Sequence, residues 1–356
     1  MTVTSIEWTR NPDGSPGRTW NCIRGCSMAK GSEKKGCLNC YACALAARDL
    51  PGMRSPTTGK AFARRTANGP RWTGAVELIP SKLDEPLRWR RPTRVFVNSM
   101  SDLFHEALSD EAIAAVFAVM LLSPQHTFQI LTKRPERMRR FLSDFASEAN
   151  IYGRILRQAD AIRADHPKLE LSRVGIGNPA LVPARWIWLG VSVEDQTTAD
   201  ERIPLLLQTP AAVRWVSYEP ALGPVDFRCI APFDDFYIDA MDTPDPRRRL
   251  DWIVVGGESG PGARPFDVAW ARSTVRQCRN ANVPVFVKQF GARPVDSEHE
   301  VGLWAPHDRR AIAARVALGL AEGCEPNLLL LKDRKGGDPD EWPRGVWPRQ
   351  FPVVAS

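Results

Sequence analysis

No run of about 18 or more apolar residues occurs in the chain, which argues against a membrane-spanning helix. The opening residues, MTVTSIEWTRNPDG, lack the basic n-region and apolar h-region of a secretory signal. The sequence also has no low-complexity tract and no internal repeat beyond a strand–helix alternation. Acidic residues are outnumbered, 41 against 48 Lys and Arg, for a net charge of +7. These absences lead to the expectation of a cytoplasmic protein without membrane attachment, in which thiols stay reduced and disulfides are rare. What is present is ordinary globular composition: 25% charged and 43% hydrophobic residues over 356 positions, enough for one large domain or two smaller ones.

The exception is cysteine. Five of the eight cysteines, Cys22, Cys26, Cys37, Cys40 and Cys43, fall within the 22 residues from 22 to 43. In a reducing compartment, thiols gathered this tightly point to a metal or an iron–sulfur cluster. One arrangement is a tetrahedral zinc site of Cys22, Cys26, Cys37 and Cys40. Cys43 follows Cys40 by three residues, so on a helix the two share a face. Cys229, Cys278 and Cys324 are scattered and read as small apolar residues.

Apolar, β-branched and aromatic runs recur at 3–8, 75–79, 94–99, 127–133, 186–194, 213–219, 251–258 and 283–289. Such runs fit strands buried on both faces of a parallel sheet. Helical patterns separate them at 37–50, 109–123, 135–149, 197–208 and 268–281, the second opening on a cap signal at Ser109. Eight strands alternating with helices predict an α/β fold, a full or partial (β/α) barrel over residues 1–300. Residues 150–184 and 231–250 read as insertions, and 301–356 as a C-terminal extension or lid.

Barrel sites form where strands end and loops begin. Here those ends carry Asn98 and Ser99, Lys133, Ser192 and Glu194, Glu219, Gly256-Gly257-Glu258, and Lys288. Asn98, Ser99 and Asp102 lie in a polar loop directly after a buried run, although Ser99 and Asp102 also suit a turn cap. Lys133 and Arg134 begin a basic stretch, RPERMRR, that suits phosphate oxygens or a solvated helix face. Pro220 stops its strand at Glu219 and keeps that carboxylate at the rim.

The chain resembles a phage and bacterial family of largely unknown function marked by a three-cysteine motif. The resemblance rests on Trp20-Asn21, Gly25-Cys26, Ser32, Gly36-Cys37 and Cys40-Tyr41-Ala42, and on FVNSMSDLFHE, ILTKRPERM, WLGVSVE, VSYEPALGP, DWIVVGGESGPGARP and VFVKQFG. That family is in turn similar to radical S-adenosylmethionine (SAM) enzymes, most nearly those like spore photoproduct lyase. The resemblance implies a [4Fe–4S] cluster on Cys26, Cys37 and Cys40, with one iron left for SAM. Cys22 or Cys43 would be a fourth ligand if the cluster were closed.

It further implies that Asn39, Tyr41, Ser99, Ser192, Glu194 and Glu219 line the SAM pocket. Gly256, Gly257 and Glu258 join them through likeness to the glycine-glycine-glutamate element of radical SAM enzymes. Asn98, Asp102, Lys133, Arg134 and Lys288 are then the candidates for substrate. The expected function is a radical SAM-type enzyme modifying or repairing a nucleic acid or nucleotide, served by an external electron donor. It would work in the host cytoplasm if phage-encoded. The alternative is a non-catalytic iron–sulfur or zinc protein that binds DNA, RNA or a host protein. The basic balance is the link to DNA or RNA in either case.

Overall fold

Strands buried on both faces form the spine of the chain in a computed structural model that describes residues 3–33, 35–48, 50, 52–143, 151–169, 171, 184–233, 236–298, 309–318 and 327–352. Seven strands make one sheet: β1 (Arg18–Trp20), β2 (Arg94–Val97), β3 (Thr127–Thr132), β4 (Ile187–Val193), β5 (Val213–Tyr218), β6 (Trp252–Gly256) and β7 (Val285–Gln289). Their hydrogen-bonded order follows the sequence, β1 through β7. The registers are parallel, for example Val95 with Phe128, Ile130 with Leu189, and Val254 with Phe286. Every residue of β4, β5 and β6 is buried, as nearly unbroken apolar runs require. The row is open, since β1 and β7 are not paired with each other among the described residues. It is the partial-barrel alternative rather than the closed ring.

Two expected strands are corrected. Residues 3–8 form an isolated bridge at Val3 and a single 3-10 turn, Glu7–Thr9. The edge position is filled instead by β1, whose three residues, Arg-Thr-Trp, carry too little apolar periodicity to stand out. Residues 75–79 yield only Glu77–Leu78, paired antiparallel with Ile23–Arg24.

The helices follow the predicted segments closely: α1 (Tyr41–Ala46), α2 (Asp110–Leu122), α3 (Pro135–Ser143), α5 (Gln196–Gln208) and α6 (Val268–Asn280). Between α3 and α5 lies α4 (Ile151–Asp165), inside the stretch expected to be irregular. It packs on α2, so Ile113 through Leu122 are buried all round rather than on one face. Ser109 caps α2 by accepting from Ala112 N at 3.2 Å, and Asp110 and Glu111 follow in the first turn. Of the second expected insertion, Ile230–Phe233 and Phe236–Ile238 pair antiparallel and Pro246–Arg248 form a 3-10 turn.

Chain contacts divide the molecule into two compact units. One comprises Met1–Val191 and Leu205–Arg214; the other comprises Ser192–Pro204 and Trp215–Ser356. In the first, Phe104, Phe117 and Phe141 meet at centroid separations of 5.6 to 6.4 Å. In the second, the C-terminal segment, expected as an extension or lid, lies along the outer edge of β7. Val287 N donates to Pro348 O at 2.8 Å and Gln350 N to Val285 O at 3.0 Å. Trp342 stacks on Phe290 at 4.5 Å and Trp347 meets the same ring edge-on at 4.9 Å. The segment thereby covers backbone groups that an edge strand would leave unpaired. A further helix, α7 (Arg309–Leu318), precedes it. Cys324 lies outside the described residues.

Candidate functional site

The cysteine loop leaves β1 and runs beside the loop that leaves β2, in the first unit. A parallel bridge joins Gly25 to Ser101, and Asn98 N donates to Trp20 O at 2.8 Å. Side chains stitch the two loops together. Asn21 Oδ1 accepts from Met100 N and Ser99 Oγ, both at 3.1 Å. Asn98 Oδ1 accepts from Ile23 N at 3.1 Å, and Ser101 Oγ donates to Ile23 O at 3.0 Å. Tyr41, at the start of α1, donates its hydroxyl to Ser99 O at 2.6 Å. Gly25 has φ +84, and a Cβ there would sit 1.9 Å from Ala75 O, so only glycine fits the turn that delivers Cys26. Asn98 also holds a positive φ of 61, uncommon outside glycine. Its Nδ2 is buried without a hydrogen-bond partner among the described residues.

Behind Cys26 stands a buried polar network. Asp102 accepts four hydrogen bonds: from Phe104 N (3.0 Å) and Thr132 Oγ1 (2.7 Å) on one oxygen, and from Lys133 N (3.0 Å) and Arg134 Nη1 (3.1 Å) on the other. Arg134 is only 7% exposed. Its donors go to Glu106 (2.8 Å), Asp102, Cys26 Sγ (4.0 Å), Ser27 O (3.1 Å) and Ser27 Oγ (3.0 Å). A guanidinium has five N–H groups, and all five are accounted for. The structure therefore gives Arg134 and Asp102 the work of holding the loop, rather than contacting a phosphate or substrate. Ser27 Oγ also meets His105 Nε2 at 2.7 Å, and His105 Nδ1 accepts from Ala107 N at 3.1 Å. That acceptance leaves the proton on Nε2. Burial, and then the Arg134 charge, hold His105 below the ordinary histidine pKa.

The five clustered cysteines separate. Cys26, Cys37 and Cys40 are half-buried, whereas Cys22 and Cys43 are buried. Burial pushes the Cys26 thiol up to about 12, as do the charges of Asp102, Cys40 and Cys37, against the lowering effect of Arg134. Cys43, likewise about 12 and chiefly through burial, feels Cys40 and Cys37. Cys22 is different. Its thiol donates to Asn98 Oδ1 at 3.7 Å, and its pKa is raised by burial with no other cysteine acting on it. Among the described residues no three His, Cys, Asp or Glu side chains are drawn to metal-binding distance. The donor chemistry nonetheless suits a thiophilic metal group: three partly open thiols on one loop and a guanidinium beside one of them.

Asn39 is exposed in the cysteine loop; the remaining predicted residues belong to the second unit, where most are occupied internally. Glu194 pairs with Arg202 at 3.0 Å with both side chains fully buried, and Ser192 O accepts from the same guanidinium at 2.7 Å. Glu258 accepts from Arg264 N, Nε and Nη2 at 2.7 to 3.0 Å. Gly256 O accepts from Ala221 N, and a Cβ on Gly257 would meet Phe290 O at 2.3 Å, so both glycines serve close packing. Only Glu219 and Lys288, an ion pair joined by Gln289 Nε2 at 3.3 Å, keep the polar, half-open character expected of a rim. Sequence reading passed over Ser27, Glu106 and the role of His105. The pairing of Ser27 with Arg134 spans 107 positions, so no local pattern signals it.

Residues 3–316 match a family described as protein of unknown function (DUF5131). The chain belongs to that family. The match takes in the cysteine loop, all seven strands and most of α7, and stops before the segment that covers β7. No curated protein and no solved structure matches the chain.

Proposed function

We propose that the protein is an iron–sulfur enzyme of the radical SAM type, acting on a nucleic acid or nucleotide. The observation that supports the reading is the partition of the cysteines. Cys26, Cys37 and Cys40 share one loop and are open enough to bind, and Cys37 and Cys40 lie near enough to raise the Cys26 pKa. Cys22 is turned away to Asn98. The loop follows β1 at the C-terminal ends of parallel strands, where α/β folds carry their chemistry. When bound, a three-thiolate [4Fe–4S] cluster would supply an iron able to hold SAM and the electron that cleaves it.

The chain's own residues have separate tasks. Cys26, Cys37 and Cys40 supply the thiolates. Arg134 offsets their negative charge and, with Asp102, fixes the loop against the end of β3. Neutral His105 donates to Ser27 and keeps a second positive charge out of the network. Asn98 Nδ2 offers a desolvated donor to a polar ligand. A second reading, a closed four-thiolate structural site, draws on Cys43, which feels Cys37 and Cys40.

Anaerobic purification tests both. The enzyme reading expects about four irons and four sulfides per chain, and 5′-deoxyadenosine from SAM after reduction. The Cys37→Ala protein is the control without cluster. One zinc and no sulfide, or a full cluster with no SAM cleavage above that control, overturns the enzyme reading.

A further inference from the structure

A cleft of about 260 Å³ in the second unit lies between one face of α6 and the C-terminal segment. Arg272, Val275, Arg276 and Arg279 line one side, and Arg344 to Trp347 the other. Many basic groups elsewhere in the chain are neutralised. Arg247 and Arg248 pair with Asp245, Arg137 with Asp110, and Arg139 with Glu136. The cleft is different. Arg272 is held by Asp296 at 2.7 Å and Glu298 at 3.5 Å, and lies over the Trp347 ring at 5.8 Å. Arg276 is exposed and only loosely tied to Glu298, at 3.8 Å. Arg279 and Arg344 are exposed and make no ion pair among the described residues. The two carboxylates leave a net positive charge in a concave, partly apolar setting.

The spacing of the guanidinium groups indicates the ligand. Positions 276 and 279 are neighbours on one helical face, about 4.5 Å apart along the axis, and carry the charge that Arg272, held by Asp296 and Glu298, does not. With Arg344 across the cleft, the exposed guanidinium groups of Arg276 and Arg279 form an extended patch of positive charge, matched to successive phosphates of one strand rather than to a single anion. The half-buried Trp347 at the same cleft offers an indole to an unstacked base. Arg344 to Trp347 lie beyond residues 3–316, the span of the family match.

We infer that the cleft between α6 and residues 344–347 binds the phosphodiester backbone of a single-stranded nucleic acid. The site is independent of the cysteine loop, and its test does not need a cluster.

Fluorescence anisotropy with an end-labelled single-stranded oligonucleotide of mixed sequence reads binding directly, and a salt series reads the phosphates engaged. The double variant Arg279→Glu/Arg344→Glu is expected to weaken binding at least tenfold and to flatten the salt slope by about 1.4, two contacts at 0.7 each. Arg279→Lys/Arg344→Lys keeps the charge and is expected to stay within about threefold of wild type. A circular dichroism spectrum and a melting temperature unchanged in the glutamate variant tie the loss to the cleft. Unchanged oligonucleotide affinity in that variant, or no binding by wild type, overturns the inference. Equal affinity for the duplex overturns the single-strand assignment, and inorganic phosphate competing at concentrations equivalent in phosphate overturns the backbone assignment.

Discussion

Replacing Asp102 with asparagine is the sharpest way to probe the network behind Cys26. The exchange keeps the size of the side chain and removes its charge and two of its four acceptor sites. Three of the four groups it serves are obligate donors: Phe104 N, Lys133 N and the Arg134 guanidinium. Only Thr132 Oγ1 can turn and accept. Neither amide orientation therefore satisfies the site. With Nδ2 toward Arg134, two donors face donors next to a buried positive charge. With the amide reversed, Phe104 N loses its acceptor and the guanidinium its counter-ion.

An unmade buried hydrogen bond costs about 1–3 kcal/mol, and breaking one side of a buried ion pair about 3–5 kcal/mol. Asp102→Asn is accordingly expected to lower stability by about 3–5 kcal/mol, read as a shift of the urea midpoint at constant m. Glu106→Gln is the internal comparison. Glu106 bonds the same guanidinium at 2.8 Å, but its side chain is 67% exposed, so its loss should cost under about 1 kcal/mol. Asp102→Asn combined with Arg134→Met should cost less than the two single changes added together, because the uncompensated charge goes too. If Asp102→Asn costs no more than Glu106→Gln, the network does not anchor the loop.

Three further outcomes follow from the same geometry. Gly25→Ala should lower the melting temperature and open the cysteine loop to limited proteolysis, at about 1–3 kcal/mol or more, since strain adds to a collision with Ala75. Gly14→Ala, also at positive φ but with nothing within 4 Å, should cost about 1 kcal/mol or less. Cys22→Ala should retain its iron, measured per chain after anaerobic purification, whereas Cys26→Ala should not; equal loss in both would return Cys22 to the ligand set. His126 is buried and its pKa is held below the ordinary value, chiefly by burial. The unfolded chain takes up its proton first, so stability is complete above about pH 6.5 and falls as pH drops below it toward the depressed folded value. His126→Gln should flatten the melting temperature between about pH 7 and 5; an unchanged slope would refute the assignment.

Strands β2 to β7 were legible because burial on both faces writes itself as an unbroken apolar run. β1 was not, since three residues at a sheet edge carry no period, and the apolar stretch before it turned out to be a 3-10 turn. The cysteine loop could be read from spacing alone. What its neighbours do could not, because burial is a tertiary property. Arg134 reads as one of several adjacent arginines, yet it is sealed inside while Arg140 is exposed. Glu194 ends a strand as a rim residue would. Its partner Arg202 lies eight positions on, two turns along α5 facing the same interior. An arginine among the apolar positions of that helix was the available clue.

The covering of β7 by residues 348–350 has a consequence for synthesis. The strand is made some sixty residues before its cover. Until residues 348–350 have left the ribosome, that row of amides and carbonyls stays open to any extended segment nearby. Truncation ahead of residue 348 would thus leave the strands intact but sticky, and self-association would be its signature.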